Sequence, residues 1–408
     1  MARGMPEKEY QAFKAKAFKF LWDEIAPLED EIESTGRFPR ERIWPKLRDI
    51  GMFGLLIPKE YGGKDLSEVQ YLEFEKEWSK VHGGLRVLLH VGHTGGELRV
   101  SEQLKREWYP KIMRGELCIA GGITEPGSGS GRDTKTTALT VKTTARREKG
   151  NYVINGEKHL ITNTDFAQII SVFCRVQQPS GDYTFGNIWV ERDRPGLTIR
   201  EMKPSMGCKG SHHGRLIFRD CTVPVDRLMG EAGDTALEQR IYALNVSRIR
   251  IATTALGTME RCLDLCLEYA KKRVTFGKPI AERQAVQRYL VEMATDIYAL
   301  QNAVMAAGKR VDEGKDVWLE ANLCKLLAFE AGRRCTDNAL LVFGGIGYTR
   351  EYPIDRLYRD IRLNWLEEGT PSIQVTEAAR RLFTGSRTYE SFHKEEVPTS
   401  LELALKGL

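Results

Sequence analysis

Glu368 precedes Gly369-Thr370 where a helical pattern breaks, a place from which a carboxylate can reach a cavity and act as a general base. The block before it, Val342-Phe-Gly-Gly-Ile-Gly-Tyr-Thr-Arg-Glu-Tyr, brings glycines that let a ligand approach the backbone and Tyr348 and Tyr352 as stacking surfaces. A solvated glutamate at a helix end is the competing reading. A second small-residue stretch, Gly121-Gly-Ile-Thr-Glu-Pro-Gly-Ser-Gly-Ser-Gly-Arg, offers N–H groups and hydroxyls to a phosphate or a flat cofactor. It lacks the Gly-Lys-Ser/Thr ending of a P-loop, so an ordinary connection explains it equally well. His90 and His93 share a helix face without an acidic or cysteine ligand nearby, so we expect no metal there. His212-His213 lies in a glycine-rich turn and reads as loop rather than general base, and no Ser/His/Asp elbow motif is present.

The elements that must hold these groups change character twice. Residues 1–118 read as helical, with Phe13, Phe18, Leu21 and Ile25 on amphipathic stretches and glycines closing helices after Trp44. Residues 119–234 carry short β-rich runs, Asn151–Lys158, Ile169–Val176, Asn187–Val190, Leu197–Arg200 and Arg215–Phe218, separated by Asn-Gly, Ser-Gly and Pro-Gly turns. From 235 to 408 the helical period returns: Met259, Cys262, Leu263, Cys266, Leu267 and Ala270 form one stripe, and Val286, Leu290, Met293, Ile297, Leu300 and Val304 a nearly heptad second. Stripes of that length predict a bundle of long helices, so the expected architecture is α+β and multidomain.

Composition narrows the class without naming a partner. Sixty-one basic against 56 acidic side chains leave +5 with no polybasic tail, which gives no support to a nucleic-acid surface. No apolar run approaches the roughly 20 residues of a membrane span. Cysteines 118, 174, 208, 221, 262, 266, 324 and 335 form no CxxC pair, so buried reduced thiols are expected. The first ten residues are polar and acidic, unlike a secretory or transit peptide, which makes a cytoplasmic location the expectation.

Taken together, four segments resemble the acyl-CoA dehydrogenase family across nearly the whole chain. Ile123-Thr-Glu-Pro-Gly-Ser-Gly-Ser resembles its flavin loop, Asn155-Gly-Glu-Lys-His-Leu-Ile-Thr-Asn its second flavin segment, Arg273-Val-Thr-Phe-Gly-Lys-Pro-Ile its adenine-side contact from a neighbouring subunit, and Glu368-Gly-Thr its catalytic signature. The resemblance implies a helical N-terminal domain, a β-barrel-like middle domain and a C-terminal four-helix bundle. It implies FAD held by Ile123, Thr124, Ser130, Ile161, Thr162, Arg273, Phe276, Gln284, Gly344, Gly345 and Thr370, with Thr162 near the flavin N5. Arg248, Ser130 and Gly369 would meet the acyl-CoA. Glu368 would take the α-proton while the β-hydrogen leaves as hydride to the flavin, the thioester oxygen being polarised by the base's own N–H and a ribityl hydroxyl. Where other branches carry the base on the helix opening the C-terminal domain, this chain has Ser247, which favours Glu368. A homotetramer and electron-transferring flavoprotein as acceptor are also implied.

Departures from the family pattern are Gly131 for an Asp, Leu160 for an aromatic, Leu341 for a Gln, and Glu367 for a Tyr beside the base. A second carboxylate there either raises the pKa of Glu368 or turns to solvent. Val81-His-Gly-Gly-Leu-Arg86 resembles the stretch where glutaryl-CoA dehydrogenases pair an arginine with the substrate's distal carboxylate, although Val87 replaces the usual Ser; a structural arginine is the alternative. The expected substrate is therefore a carboxylate-bearing acyl-CoA, glutaryl or substituted succinyl such as benzylsuccinyl-CoA. Gly83, Gly84, Gly92, Gly95 and Gly96 suggest room for the bulkier acyl group. Alternatives are a plain acyl-CoA substrate, oxidase or enoyl-CoA reductase chemistry on the same fold, and a flavin-bearing nucleic-acid binder, which the short mixed tail disfavours.

Overall fold

The computed structural model describes residues 3–92, 100–129, 140–230 and 232–384, with the side chains of 234–237 left aside. The chain forms two compact units, one from Met1–Tyr71 with Gly84–Ile241, the other from Leu72–Gly83 with Tyr242–Leu408.

Helices come first: α1 Glu7–Phe20, α2 Glu29–Thr35, α3 Arg40–Ile50, α4 Glu68–Val81, α5 Gly83–Gly92 and α6 Glu102–Met113. Local chemistry sets their ends. Gly51 ends α3 in the left-handed region, where its N–H reaches Arg48 O at 2.8 Å and that of Met52 reaches Leu47 O at 2.9 Å. Ser101 caps α6 by accepting from the Leu104 N–H. Trp108, Tyr109 and Ile112 of α6 pack with Ile169 and Trp189 of the adjoining sheet.

That sheet has seven strands: β1 Ile119–Gly122, β2 Thr144–Glu148, β3 Asn151–Thr162, β4 Ile169–Gln177, β5 Tyr183–Glu191, β6 Leu197–Glu201 and β7 His213–Pro224. β4 lies parallel to β1 and β2 and antiparallel to β5; β3 pairs with β2 and β7, and β6 closes the far edge. The near-continuous apolar run of β4 is buried on both faces, as an inner strand requires. All five β-rich runs of the sequence fall in strands. β1 and β2 escape notice because one is half glycine and the other, Thr-Ala-Arg-Arg-Glu, is mostly charged. His213 opens β7 opposite Thr162, so it is a strand residue rather than part of the turn.

The second unit adds three long helices, α7 Asp234–Lys272, α8 Gln284–Asp312 and α9 Trp318–Phe343, then α10 Ile354–Asp360, α11 Leu363–Leu366 and α12 Pro371–Thr384. α7, α8 and α9 share one core through Met259, Cys262, Cys266, Met293, Leu300, Val304, Cys324 and Cys335, and α9 also packs on α12. Leu267 departs from the expected stripe: it is exposed, one position beyond the buried arc that Cys266 occupies. All eight cysteines are free and buried. Between α7 and α8 a hairpin, β8 Val274–Thr275 with β9 Lys278–Pro279, turns through Phe276 and Gly277, both at positive φ, as a two-residue hairpin demands.

His82, between α4 and α5, is fully buried near the Arg356–Asp360 ion pair of α10, whose Arg356 also donates to Val81 O at 3.4 Å. Burial first, and the Arg356 charge second, push the imidazole pKa well below its usual value, so His82 is neutral in the fold. As pH drops below about 6.5 the unfolded chain binds a proton that the folded chain refuses, so stability falls by up to about 1.4 kcal/mol per pH unit until the folded pKa is reached. Thermal unfolding between pH 7.5 and 5.5 should therefore show a shallower decline for His82→Gln than for the parent chain.

Candidate active site

The helix break after α11 is a four-residue turn, Glu367–Thr370. Asn364 of α11 anchors it from one side, donating to Ile251 O at 3.1 Å and to the Thr254 hydroxyl of α7. On the other, Thr370 precedes Pro371 at the first position of α12, and its carbonyl accepts from the N–H groups of Ile373 and Gln374. Between these anchors Glu368 has φ +56°, unusual for a residue with a Cβ, and Gly369 φ +100°. Gly369 has to be glycine: a Cβ there would stand 2.8 Å from Gln374 Nε2.

Three buried side chains hold the carbonyls of this turn. Lys325 of α9 donates Nζ–H to Glu367 O and, at 2.7 Å, to Gly369 O. Arg248 of α7 donates Nε–H to Glu368 O at 3.0 Å while its Nη1 is steadied by Asn245 Oδ1, also at 3.0 Å. Gln374 Nε2 reaches Glu368 O and Gly369 O, each at 3.1 Å. Three consecutive carbonyls thus point into the protein, and a backbone conformation costing on the order of 1–3 kcal/mol is over-determined by its donors. Oε2 of Glu368 is shielded from water.

In the first unit the glycine-rich loop after β1 is tied to β3. Glu125, buried with Lys158, accepts its ammonium at 2.8 Å and the N–H groups of Lys142 at 2.7 Å and Thr143 at 3.0 Å. Lys158 also donates to Ile123 O at 3.0 Å, and the His159 N–H to Thr124 O at 2.7 Å. Burial opposes the charge on Glu125, but Lys158 and the three hydrogen bonds outweigh it and hold the carboxyl below its usual range. The pair brings Ile123 and Thr124 beside the end of β3, where Ile161 and Thr162 follow a bulge that turns Leu160 outward at φ +57°.

Near the β8–β9 hairpin a cavity of about 880 Å³ is lined by Arg273, Gly344, Gly345, Tyr269, Phe343 and Tyr352 among others. Tyr269 stacks on Phe343 with ring centroids 4.2 Å apart, and Tyr352 meets both edge-on. Gly344, at φ +65° and ψ −147°, adopts a conformation reserved for glycine, and a Cβ at it or at Gly345 would meet only open space. Backbone, guanidinium and rings open on one cavity suit the aromatic and phosphate end of a dinucleotide.

Of the residues singled out in the sequence, Glu368, Gly369, Thr370 and Arg248 converge on one turn, Arg273, Gly344 and Gly345 on one cavity, and Ile123, Thr124, Ile161 and Thr162 on one loop–strand junction. Phe276 is 95% exposed at the hairpin tip and Gln284 opens α8. Ser130 lies outside the described residues. Arg86 is buried on α5. Two of the glycines near it are packed against neighbours: a Cβ at Gly83 would stand 2.8 Å from Asp360 Oδ2, and one at Gly92 2.5 Å from Cys118 Sγ, while Gly95 and Gly96 are outside the described residues. Lys325, Gln374 and the Glu125–Lys158 pair are missed by motif reasoning. Their one sequence signal is a lysine on the small-residue face Ala321, Lys325, Ala328, Gly332, where an aliphatic residue belongs.

A glutamate on an anchored turn, a cavity lined by a guanidinium, glycines and rings, and a glycine-rich loop on a β-domain are each in keeping with a flavin-dependent oxidoreductase. Family models agree: the acyl-CoA dehydrogenase N-terminal, middle and C-terminal domains match residues 7–116, 120–221 and 237–383. An acyl-CoA dehydrogenase of Bacillus subtilis (strain 168) is 33% identical over 371 residues, 90% of this chain and 96% of that protein. An acryloyl-CoA reductase (NADH) of Anaerotignum propionicum is 33% identical over 381 residues, 92% and 94% respectively. The solved butyryl-CoA dehydrogenase of Megasphaera elsdenii superposes with a TM-score of 0.83 at 28% identity, covering 94% of this chain and 100% of that one. The chain belongs to the acyl-CoA dehydrogenase family, and its cofactor is FAD.

Removing the cation from the flavin-loop pair tests its hold. Lys158→Met leaves Glu125 buried without its ammonium and should cost about 3–5 kcal/mol, seen as a lower urea midpoint, whereas Lys158→Met with Glu125→Gln should recover much of that loss.

Proposed function

We propose that this chain removes the α- and β-hydrogens of an acyl-CoA whose acyl group ends in a carboxylate, of the glutaryl or substituted-succinyl type such as benzylsuccinyl-CoA. The observation carrying the reading is the inward locking of the Glu367, Glu368 and Gly369 carbonyls, which fixes how the Glu368 side chain leaves the turn. Because a trans peptide sets C=O and N–H on opposite edges, turning Glu367 O towards Lys325 turns the Glu368 N–H away from it. Base and N–H donor then belong to one rigid unit: the carboxylate takes the α-proton while the N–H supports the charge growing on the thioester oxygen. Bound FAD supplies acceptance of the β-hydrogen with its electron pair, leaving a C=C bond in the product. By the family resemblance, Ile123, Thr124, Ser130, Ile161, Thr162, Arg273, Phe276, Gln284, Gly344, Gly345 and Thr370 would be its contacts.

Arg86 supports the carboxylate assignment, since it is buried and a guanidinium matches a carboxylate bidentately. The succinyl and glutaryl options stand side by side, since Gly83 and Gly92, packed against neighbouring side chains, lend the bulkier group no support. A second reading, reduction of an enoyl-CoA, draws support from the acryloyl-CoA reductase relative, as the same groups serve the reverse reaction. A homotetramer fits the apolar exposure of the second unit, where Phe276 is 95% and Tyr348 87% exposed. Electron-transferring flavoprotein is the proposed acceptor in a cytoplasmic setting; among the described residues no helix is long and apolar enough to cross a membrane.

Two measurements test this. Glu368→Gln should keep the flavin absorbance and lose roughly 10²–10⁴-fold in anaerobic flavin bleaching by substrate; an unchanged rate removes Glu368 as the base. Glutaryl-CoA or benzylsuccinyl-CoA should bleach the parent flavin faster than a plain medium-chain acyl-CoA, and Arg86→Gln should erase that preference. If the plain thioester is fastest and the variant behaves alike, Arg86 is structural and the carboxylate is not recognised there.

A further inference from the structure

Lys325 is 4% exposed and sits between Ala321, Ala328 and Gly332 on the buried side of α9. Taking an ammonium out of water costs several kcal/mol, and a well-packed apolar residue at such a position is commonly neutral or better for stability. Its acceptors are informative: Glu367 O and Gly369 O, the carbonyls on either side of Glu368. Arg248 and Gln374 both reach Glu368 O, and Gln374 also Gly369 O, whereas Lys325 reaches Glu367 O and Gly369 O. We propose that Lys325 is a positioning residue for the dehydrogenation, its ammonium fixing the Glu367–Glu368 peptide plane and, beyond Glu368, the Gly369–Thr370 plane, and so setting the aim of the carboxylate and of the Glu368 N–H together. The inference rests on the reading of Glu368 as the base.

The physical argument is one of competing backbone states. With φ at +56°, Glu368 is held out of the ordinary right-handed and extended regions, and relaxation into either would swing its side chain away. Loss of the ammonium frees the Glu367 carbonyl and with it the Glu367–Glu368 peptide plane, on which the N–H donor rides. α9, packed against both α8 and α12, supplies a rigid origin for the clamp. Near-attack geometry is sensitive enough that a displacement of about 1 Å costs on the order of 100-fold in rate.

The test compares Lys325→Met, which keeps the stem and removes the donors, with Lys325→Ala supplemented by ethylammonium, both as FAD-loaded enzyme. Anaerobic bleaching is driven by butyryl-CoA, glutaryl-CoA and benzylsuccinyl-CoA. We expect the limiting rate per bound flavin to fall on the order of 100-fold for Lys325→Met with KM and FAD affinity little changed, and ethylammonium to restore part of the rate in Lys325→Ala. A lowered thermal midpoint with full rate per flavin and no response to ethylammonium assigns Lys325 a structural role and overturns the proposal. Glu368→Gln run alongside separates the two ideas: if it retains the rate, the base assignment fails, whereas an inactive Glu368→Gln with a fully active Lys325→Met overturns the Lys325 proposal alone.

Discussion

The functional part of this molecule depends on a short run of main chain whose carbonyls all face inward. Each of Glu367, Glu368 and Gly369 gives its oxygen to a buried cation or amide, and the donors come from three different helices. Inward carbonyls oblige the opposite edge of each peptide to face the other way, so the constraint that pins the turn also decides where its N–H groups point. Charge-assisted hydrogen bonds from Lys325 and Arg248 are about twice as strong as neutral ones, which is how a positive-φ glutamate is maintained. The long helices of the second unit therefore act as a frame for four residues.

A parallel device appears in the first unit. The flavin loop carries few side chains with which to pack, so its position comes from below, through the Glu125–Lys158 pair and the carbonyls of Ile123 and Thr124. Both devices use a buried lysine to grip backbone oxygen rather than substrate.

Glycine serves two opposite purposes in the same chain. At Gly344 and Gly345 the missing Cβ leaves open space in the wall of a cavity, which suits a ligand. At Gly83, Gly92 and Gly369 the space is already taken by Asp360, Cys118 and Gln374, so those glycines serve packing. Sequence alone does not separate these cases, since a glycine reports only that a Cβ is unwelcome and not what displaces it.

Periodicity and turn chemistry made the helical, β, helical order legible, because the 3.6 and 2.0 residue periods are local properties of the chain. The Glu-Gly-Thr and Arg-Val-Thr-Phe-Gly motifs likewise drew attention to Glu368, which lies on the anchored turn, and to Arg273, which lines the cavity. β1 and β2 stayed hidden, as glycine and charge mask a strand that only its neighbours stabilise. Leu267 was misplaced because a stripe gives a helix its buried side but not the width of the surface that covers it. What the tertiary structure alone decided is which atoms meet: Lys325 stands 43 positions before Glu368 in sequence and yet grips the carbonyls on either side of it. Long-range hydrogen bonds between a side chain and remote backbone carry no local pattern, since any residue can supply a carbonyl. They exist only once the helices that bring donor and acceptor together have packed.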